Sequence, residues 1–229
     1  MPFGTTSLEN APPEADTVVR GVAAPWPLLE HELRGTVGAI TGLVRLLADG
    51  QVPAEDHARV MNSLQNAAER AATLTREVGQ IARWSHDPGG ARHPVRLSRV
   101  LEQAASGEAG VEPVPLASGS PDDLHLTVLD SEAMTRAFAA LVRAARRASP
   151  DGLACHVRAA GDDVEVMLGP AAAGWPPERE RQPFDVTSRG GLGLSVLLAT
   201  MIVDAHGGRM FQDRSGAVIG VVLPLMGTR

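Results

Sequence analysis

His31, Glu32 and Arg34 stand together at the start of a stretch with helical spacing, and they are the residues best suited to chemistry in this chain. A neutral imidazole is a nucleophile when one ring nitrogen is free and an acceptor holds the other. Glu32 is a carboxylate that can take a proton or orient the ring, and Arg34, one turn on, suits contact with phosphate oxygens. These residue types allow nucleophilic chemistry at the His31 imidazole. The alternative is a solvated helix histidine without a role.

Two amphipathic helices are predicted to position these residues. The first runs from about Pro27 to Leu47, with a stop at Asp49-Gly50, and the second from about Ala54 to Ser85. Apolar residues recur at helical spacing in both: Leu33, Val37, Ile40, Val44 and Leu47 in the first, and Val60, Leu64, Ala67, Ala71, Leu74, Val78 and Ile81 in the second. Because one hairpin cannot enclose its own stripe, we expect two copies to pair as a four-helix bundle.

The chain changes character after a linker at His86 to Gly90. Strands are predicted at Val111–Leu116, Leu124–Leu129, Leu153–Ala159, Asp163–Leu168, Met210–Gln212 and Ala217–Leu223. Val95 to Ala105 is predicted as a short strand leading into a helix, and Asp130–Ala148 and Gly193–His206 as helices. This order predicts an α/β sandwich with mixed, largely antiparallel strands. The fold class is therefore α+β.

Two motifs resemble those of histidine kinases. His31-Glu32-Leu33-Arg34 resembles the phosphoacceptor box of the kinase dimerisation domain, although Gly35-Thr36 replaces the usual Thr-Pro. The glycine loop from Arg189 to Ser195, followed by Ala205-His206-Gly207-Gly208, resembles the kinase ATP-binding domain, whose fold is shared with gyrase and Hsp90-type ATPases. The resemblance implies that His31 accepts phosphate, that Glu32 is the neighbouring base, and that a loop with Gly191 and Gly193 once held nucleotide phosphates.

Other residues of the resembled ATP site are replaced. The asparagines of the family helix fall on Ala140 and Ala144, and alanine has no oxygen for magnesium. The aspartate that binds adenine falls on Pro170, and the lid before Gly190 is nearly deleted. We therefore expect no ATP and no metal site in this chain. Any magnesium is expected to come from a partner receiver domain.

The domains are predicted as a flexible leader over residues 1–24, a dimerisation and phosphotransfer hairpin over 25–87, and a degenerate ATPase-like domain over 94–229. A formal net charge of −6 over 229 residues argues against non-specific binding to nucleic acid or to an anionic membrane. No apolar run approaches the ~20 residues that span a bilayer. The single cysteine, Cys155, gives no sign of an oxidising compartment. A cytoplasmic location is expected.

These observations favour a dimeric histidine phosphotransferase that relays phosphoryl groups between receiver aspartates through His31. Its expected partners are a second copy of the chain and response-regulator receiver domains, and a hybrid histidine kinase is a further candidate. Two alternatives stay open. The chain is a kinase-like scaffold that binds a response regulator or kinase without phosphotransfer, or it is a divergent autokinase, an option supported only by the retained glycine loop.

Overall fold

A hairpin of two long helices forms the N-terminal part of the computed structural model, which describes residues 26–85, 89–106, 124–149, 152–186 and 193–225. Helix α1 spans Trp26–Ala48 and α2 spans His57–Trp84, with a 3₁₀ turn over Ala54–Asp56 before α2. The turn after α1 contains Gly50 at a φ of +64°, a left-handed conformation that glycine adopts without steric cost. Both predicted helices are confirmed. The predicted leader lies outside the described residues.

The apolar stripe of α1 is only partly covered in the single chain. The residues that α1 buries are Leu29, Glu32 and Thr36. By contrast Leu33, Val37 and Val44 remain 39%, 56% and 47% exposed. Ile40 and Leu47 of the predicted stripe are half-buried. The hairpin therefore divides the stripe and leaves Leu33, Val37 and Val44 on the outer surface of the single chain.

Two antiparallel sheets follow the hairpin. Strands β1 (His93–Arg96) and β2 (His125–Val128) form a pair, and one bridge between Leu126 and Leu225 links this pair to the larger sheet. The larger sheet contains β3 (Leu153–Ala160), β4 (Asp163–Pro170), β5 (Gln182–Pro183), β6 (Arg209–Gln212) and β7 (Ile219–Pro224), in the order β3-β4-β7-β6-β5. Every strand pairing among the described residues is antiparallel, so the prediction of mixed strands is corrected to a fully antiparallel arrangement there. The strand predicted at 111–116 lies outside the described residues.

Three helices pack with these strands: α3 (Leu97–Ser106), α4 (Ser131–Ala148) and α5 (Gly193–Ala205). Asp130 caps α4, because its carboxylate accepts a hydrogen bond from the Ala133 N–H at 2.9 Å. The α4 and α5 helices contribute Phe138 and Ile202 to a common core with Val166 of β4. Helix packing on one sheet face produces the predicted α/β sandwich.

The buried carboxylate of Glu165 stabilises the segment between β4 and β5. Glu165 accepts hydrogen bonds from Arg158 at 2.6 Å and from Arg181 at 2.8 Å. The guanidinium of Arg158 stacks on Trp175, and that of Arg181 stacks on Phe211. These contacts hold the segment that leads to β5, a two-residue edge strand too short for the sequence pattern to reveal.

Candidate functional site

His31 lies on the exposed surface of α1. On a helix with 3.6 residues per turn, His31 is rotated by roughly 120–160° from the exposed apolar stripe of Leu33, Val37 and Val44. The imidazole is therefore accessible from solvent on a side of α1 distinct from both the stripe and the face toward α2. α1 continues without interruption through Gly35. This placement suits attack on a phosphoryl group presented by a separate protein.

Glu32 points away from His31 and into the hairpin. It is 8% exposed and forms an ion pair with Arg70 of α2. Adjacent helical residues are about 100° apart, so burying Glu32 turns its carboxylate away from the exposed imidazole. In this arrangement the Glu32 carboxylate joins the two helices, and Arg70 is a contact that the sequence pattern did not reveal.

Arg34 pairs with Glu30 on the exposed surface of α1. The two residues are one turn apart, the spacing at which opposite charges on a helix meet. Both side chains are largely exposed, so the pair contributes little to stability. The guanidinium therefore remains on the solvent side of α1, near the turn that carries His31.

Three positions matched to the ATP contacts of the resembled family carry side chains without a ligand atom. Ala140 and Ala144 are buried in α4 at 4% and 3% exposure, and their methyl groups offer no ligand atom to a cation. Pro170 ends β4 and supplies no carboxylate. No group of three or more metal-binding side chains occurs among the described residues.

The hairpin contacts the N-terminal end of α5 at Gly193 and Ser195. A Cβ added to Gly193 would lie 2.6 Å from the Leu28 side chain of α1. Ser195 donates a hydrogen bond to the Glu77 carboxylate of α2. Unpaired N–H groups at a helix start are a natural phosphate site. Here Leu28 and Glu77 of the hairpin contact residues of the first turn of α5. Gly191, the other predicted loop residue, lies outside the described residues.

Glu77 gives this contact a pH dependence. Burial raises the pKa of Glu77 above 4.5, although the Ser195 hydrogen bond and the nearby Arg143 and Arg70 oppose the rise. The folded protein therefore holds this proton at a higher pH than the unfolded chain does. The stability contributed by protonated Glu77 is complete below pH 4.5 and is lost as pH rises through the raised pKa.

Replacing Glu77 by glutamine should stabilise the protein at neutral pH. The amide oxygen still accepts from Ser195, and the buried charge is gone, so the free energy of unfolding at pH 7.5 should rise by up to about 1 kcal/mol. The measurement is urea denaturation of both proteins between pH 4 and 8. The gain should shrink toward acid pH, where wild-type Glu77 is itself protonated, and a destabilised Glu77→Gln protein at pH 7.5 would disprove this view of the contact.

The C-terminal end of α2 is anchored in the ATPase-like domain. Trp84 is 5% exposed and its ring lies 5.7 Å from that of His206. Arg83 lies 3.4 Å from the carboxylate of Asp130, the cap of α4. His206 Nε2 accepts from the Leu129 N–H at 2.9 Å, and Nδ1 donates to the Ile202 carbonyl at 2.6 Å. The Ala-His-Gly-Gly motif therefore provides a neutral, fully bonded histidine that joins the hairpin to the domain.

The glycines after His206 shape the return of the chain to β6. Gly207 has a φ of +76°, and a Cβ on Gly208 would lie 2.5 Å from the Val222 carbonyl oxygen. A side chain would therefore strain the backbone at Gly207 and would clash with the Val222 carbonyl at Gly208. Periodicity alone revealed neither the partner of His206 nor the close approach at Gly208.

Substitution of His206 by alanine should destabilise the protein by roughly 2–4 kcal/mol, because the Leu129 N–H loses its acceptor inside the core and the ring leaves a cavity. Burial also lowers the pKa of His206 below 6.5. As the pH falls, His206 is protonated at a higher pH in the unfolded chain than in the folded protein. The free energy of unfolding should therefore decrease as the pH drops below 6.5. Urea denaturation at pH 7.5 and 5.5 checks both effects. A His206→Gln protein should lose part of this pH dependence. If its free energy of unfolding changes with pH as steeply as that of the wild type, the pH dependence does not come from His206.

No helix among the described residues has both the length and the apolar character needed to cross a membrane.

Known proteins resemble the chain in sequence and in fold, although no family model matches it. The sensor protein FixL of Bradyrhizobium diazoefficiens is 29% identical over 86% of this chain, and the match spans 42% of FixL. The chain spans 24% to 42% of the length of the curated relatives it matches.

Solved histidine kinases share the architecture. The Acinetobacter baumannii kinase AdeS superposes with a TM-score of 0.62 at 18% identity, covering 86% of this chain and 98% of AdeS. Histidine kinase ThkA in complex with response regulator protein TrrA gives a TM-score of 0.59 at 18% identity, covering 87% of this chain and 60% of ThkA. At this identity the likeness establishes the fold. The protein is thus histidine-kinase-like, with a helical hairpin and an antiparallel α/β domain arranged as in histidine kinases.

Proposed function

We propose that the protein is a dimeric histidine phosphotransferase of a two-component phosphorelay. It passes phosphoryl groups between the aspartates of receiver domains through His31 and does not use ATP. The observation that carries the proposal is a contrast within one chain: His31 is exposed on α1, whereas Leu28 and Glu77 pack against the start of α5.

The transfer step needs little from this chain beyond the imidazole. The lone pair of the free ring nitrogen attacks the phosphorus of a receiver aspartyl phosphate. An N–P bond forms, the P–O bond to the aspartate breaks, and the carboxylate leaves with the electron pair. The proton on the other ring nitrogen passes to water. The receiver supplies magnesium for the phosphate oxygens. Return of the group to a second receiver reverses these steps.

The residues around His31 have supporting roles. Glu32 is held by Arg70 and ties α1 to α2, so it positions the helix that carries His31. Arg34, paired with Glu30 at the surface, is the cation nearest in sequence to the phosphoryl group. An exposed ion pair exchanges partners at low cost, so Arg34 can turn to an incoming phosphate.

Partner recognition is part of the same proposal. The outer stripe of α1 is apolar and exposed, which favours a second copy of the hairpin as its partner. The fold likeness to ThkA, whose complex with a response regulator is known, supports receiver domains as the phosphoryl source and acceptor. The ATPase-like domain is then a docking and bracing element.

The test uses receiver domains from the source genome. Each is phosphorylated with labelled acetyl phosphate, and the excess reagent is then removed. A relay protein takes label from at least one receiver within seconds to minutes, in an acid-labile and alkali-stable form. A scaffold binds the receiver and takes none. A stable complex without label on the hairpin protein would therefore favour the scaffold and refute phosphotransfer.

A further inference from the structure

A cavity of about 370 Å³ lies where α2 meets α4 and α5. Polar side chains from all three helices line it: Arg76, Glu77 and Gln80 of α2, Arg136 and Arg143 of α4, and Ser195 of α5. Alanine and aliphatic side chains of α4 and α5 complete the wall. The volume falls in the range of pockets that hold small molecules.

Positive charge dominates the lining. Three guanidinium groups face one carboxylate, that of Glu77. Arg76 donates to the Thr73 hydroxyl at 3.1 Å, and Arg136 pairs with Glu132. A guanidinium has five N–H donors, so these two contacts leave Arg76 and Arg136 with capacity for a further acceptor. The cavity therefore suits an anion.

Gln80 adds a second requirement. Its Oε1 is buried and has no hydrogen-bond partner among the described residues. An amide oxygen only accepts hydrogen bonds, so a ligand that satisfies it must carry an O–H or N–H group. An anion with a donor meets both demands of the cavity.

We propose that this cavity binds a small phosphate bearing a hydroxyl, either inorganic monohydrogen phosphate or a hydroxylated phosphate monoester. The phosphate oxygens contact the guanidinium groups of α2 and α4, and the hydroxyl donates to Gln80. Since these residues belong to both the hairpin and the ATPase-like domain, the bound anion braces one against the other. The inference is independent of phosphotransfer through His31.

The experiment is isothermal titration calorimetry of the full chain at pH 7.5, with chloride keeping the ionic strength constant. The probes are inorganic phosphate, glycerol 3-phosphate, sulfate and magnesium ADP. Phosphate or glycerol 3-phosphate should bind saturably, and the tighter of the two identifies the ligand source. Sulfate has the same charge as monohydrogen phosphate but no proton to donate, so it should bind about threefold to tenfold more weakly.

Variants locate the site. Arg76→Gln and Arg143→Gln should each weaken binding about tenfold or more, the effect expected for a lost charge-assisted hydrogen bond. Arg45→Gln makes the same charge change on exposed α1 away from the cavity and should bind as wild type. Ala139→Leu fills the cavity without altering charge and should also abolish binding. Circular dichroism confirms that each variant is folded.

Any of the following results would overturn the inference. One is the absence of saturable binding by either phosphate probe to the folded wild type. Another is sulfate binding as tight as phosphate, or an equal loss in Arg45→Gln. The last is magnesium ADP binding more tightly than both phosphates, which would identify a nucleotide site instead.

Discussion

His31→Ala should abolish phosphoryl uptake from a phosphorylated receiver domain. The transfer rate should fall at least about 1000-fold, because no other group on the exposed face of α1 replaces the nucleophilic nitrogen. His31 is exposed and its removal leaves the buried face of α1 unchanged. The variant should therefore fold, dimerise and bind receivers as the wild type does. The measurement is transfer of label from receiver to hairpin protein, together with the receiver dissociation constant.

A matched control is available on the same hairpin. His57 is exposed at the start of α2, and its Nδ1 lies 3.1 Å from the Pro53 carbonyl oxygen. His57→Ala should leave phosphoryl transfer near the wild-type rate. Persistent labelling of His31→Ala, or equal loss in both variants, would show that the phosphoryl group is carried elsewhere.

Val37→Glu and Val44→Glu should prevent the proposed dimer from forming. These side chains are 56% and 47% exposed in the single chain, and they lie on the stripe that a second hairpin would cover. In a symmetric dimer each substitution places two carboxylates in the apolar seam. The dimer dissociation constant should rise by at least about 100-fold, which corresponds to ~3 kcal/mol. Sedimentation equilibrium measures this shift.

The control for charge is Gly38→Glu. Gly38 is exposed on α1 and a Cβ there meets nothing within 4 Å. It lies roughly 100° around the helix from Val37. This variant should remain dimeric. A wild type that sediments as a monomer at micromolar concentration would contradict the dimer, as would stripe variants that associate as the wild type does.

Local pattern predicted the elements of this fold well, because most of them are long and bounded by strong signals. The α1 and α2 helices follow from apolar spacing and from the stop at Asp49-Gly50. Strand β5 was missed because two residues carry no periodicity. Periodicity also shows that α1 has an apolar stripe, but it does not show whether α2 or a second copy covers that stripe.

The contacts between the hairpin and the ATPase-like domain were beyond sequence reasoning. Leu28 packs on Gly193, Glu77 accepts from Ser195, and Trp84 lies against His206. Each pair joins residues more than 100 positions apart, and nothing in the local spacing of either partner identifies the other. The site was therefore predicted as separate motifs, whereas the structure brings the start of α5 against the hairpin.

The most direct test of the central claim compares two phosphoryl donors. One is γ-labelled ATP with magnesium, and the other is a receiver domain phosphorylated with label. Wild type and His31→Ala are compared in both reactions, and label on histidine is recognised as acid-labile and alkali-stable. The account predicts no label from ATP on either protein, and label from the receiver on the wild type alone. Label from ATP that depends on His31 would contradict it and make the protein an autokinase.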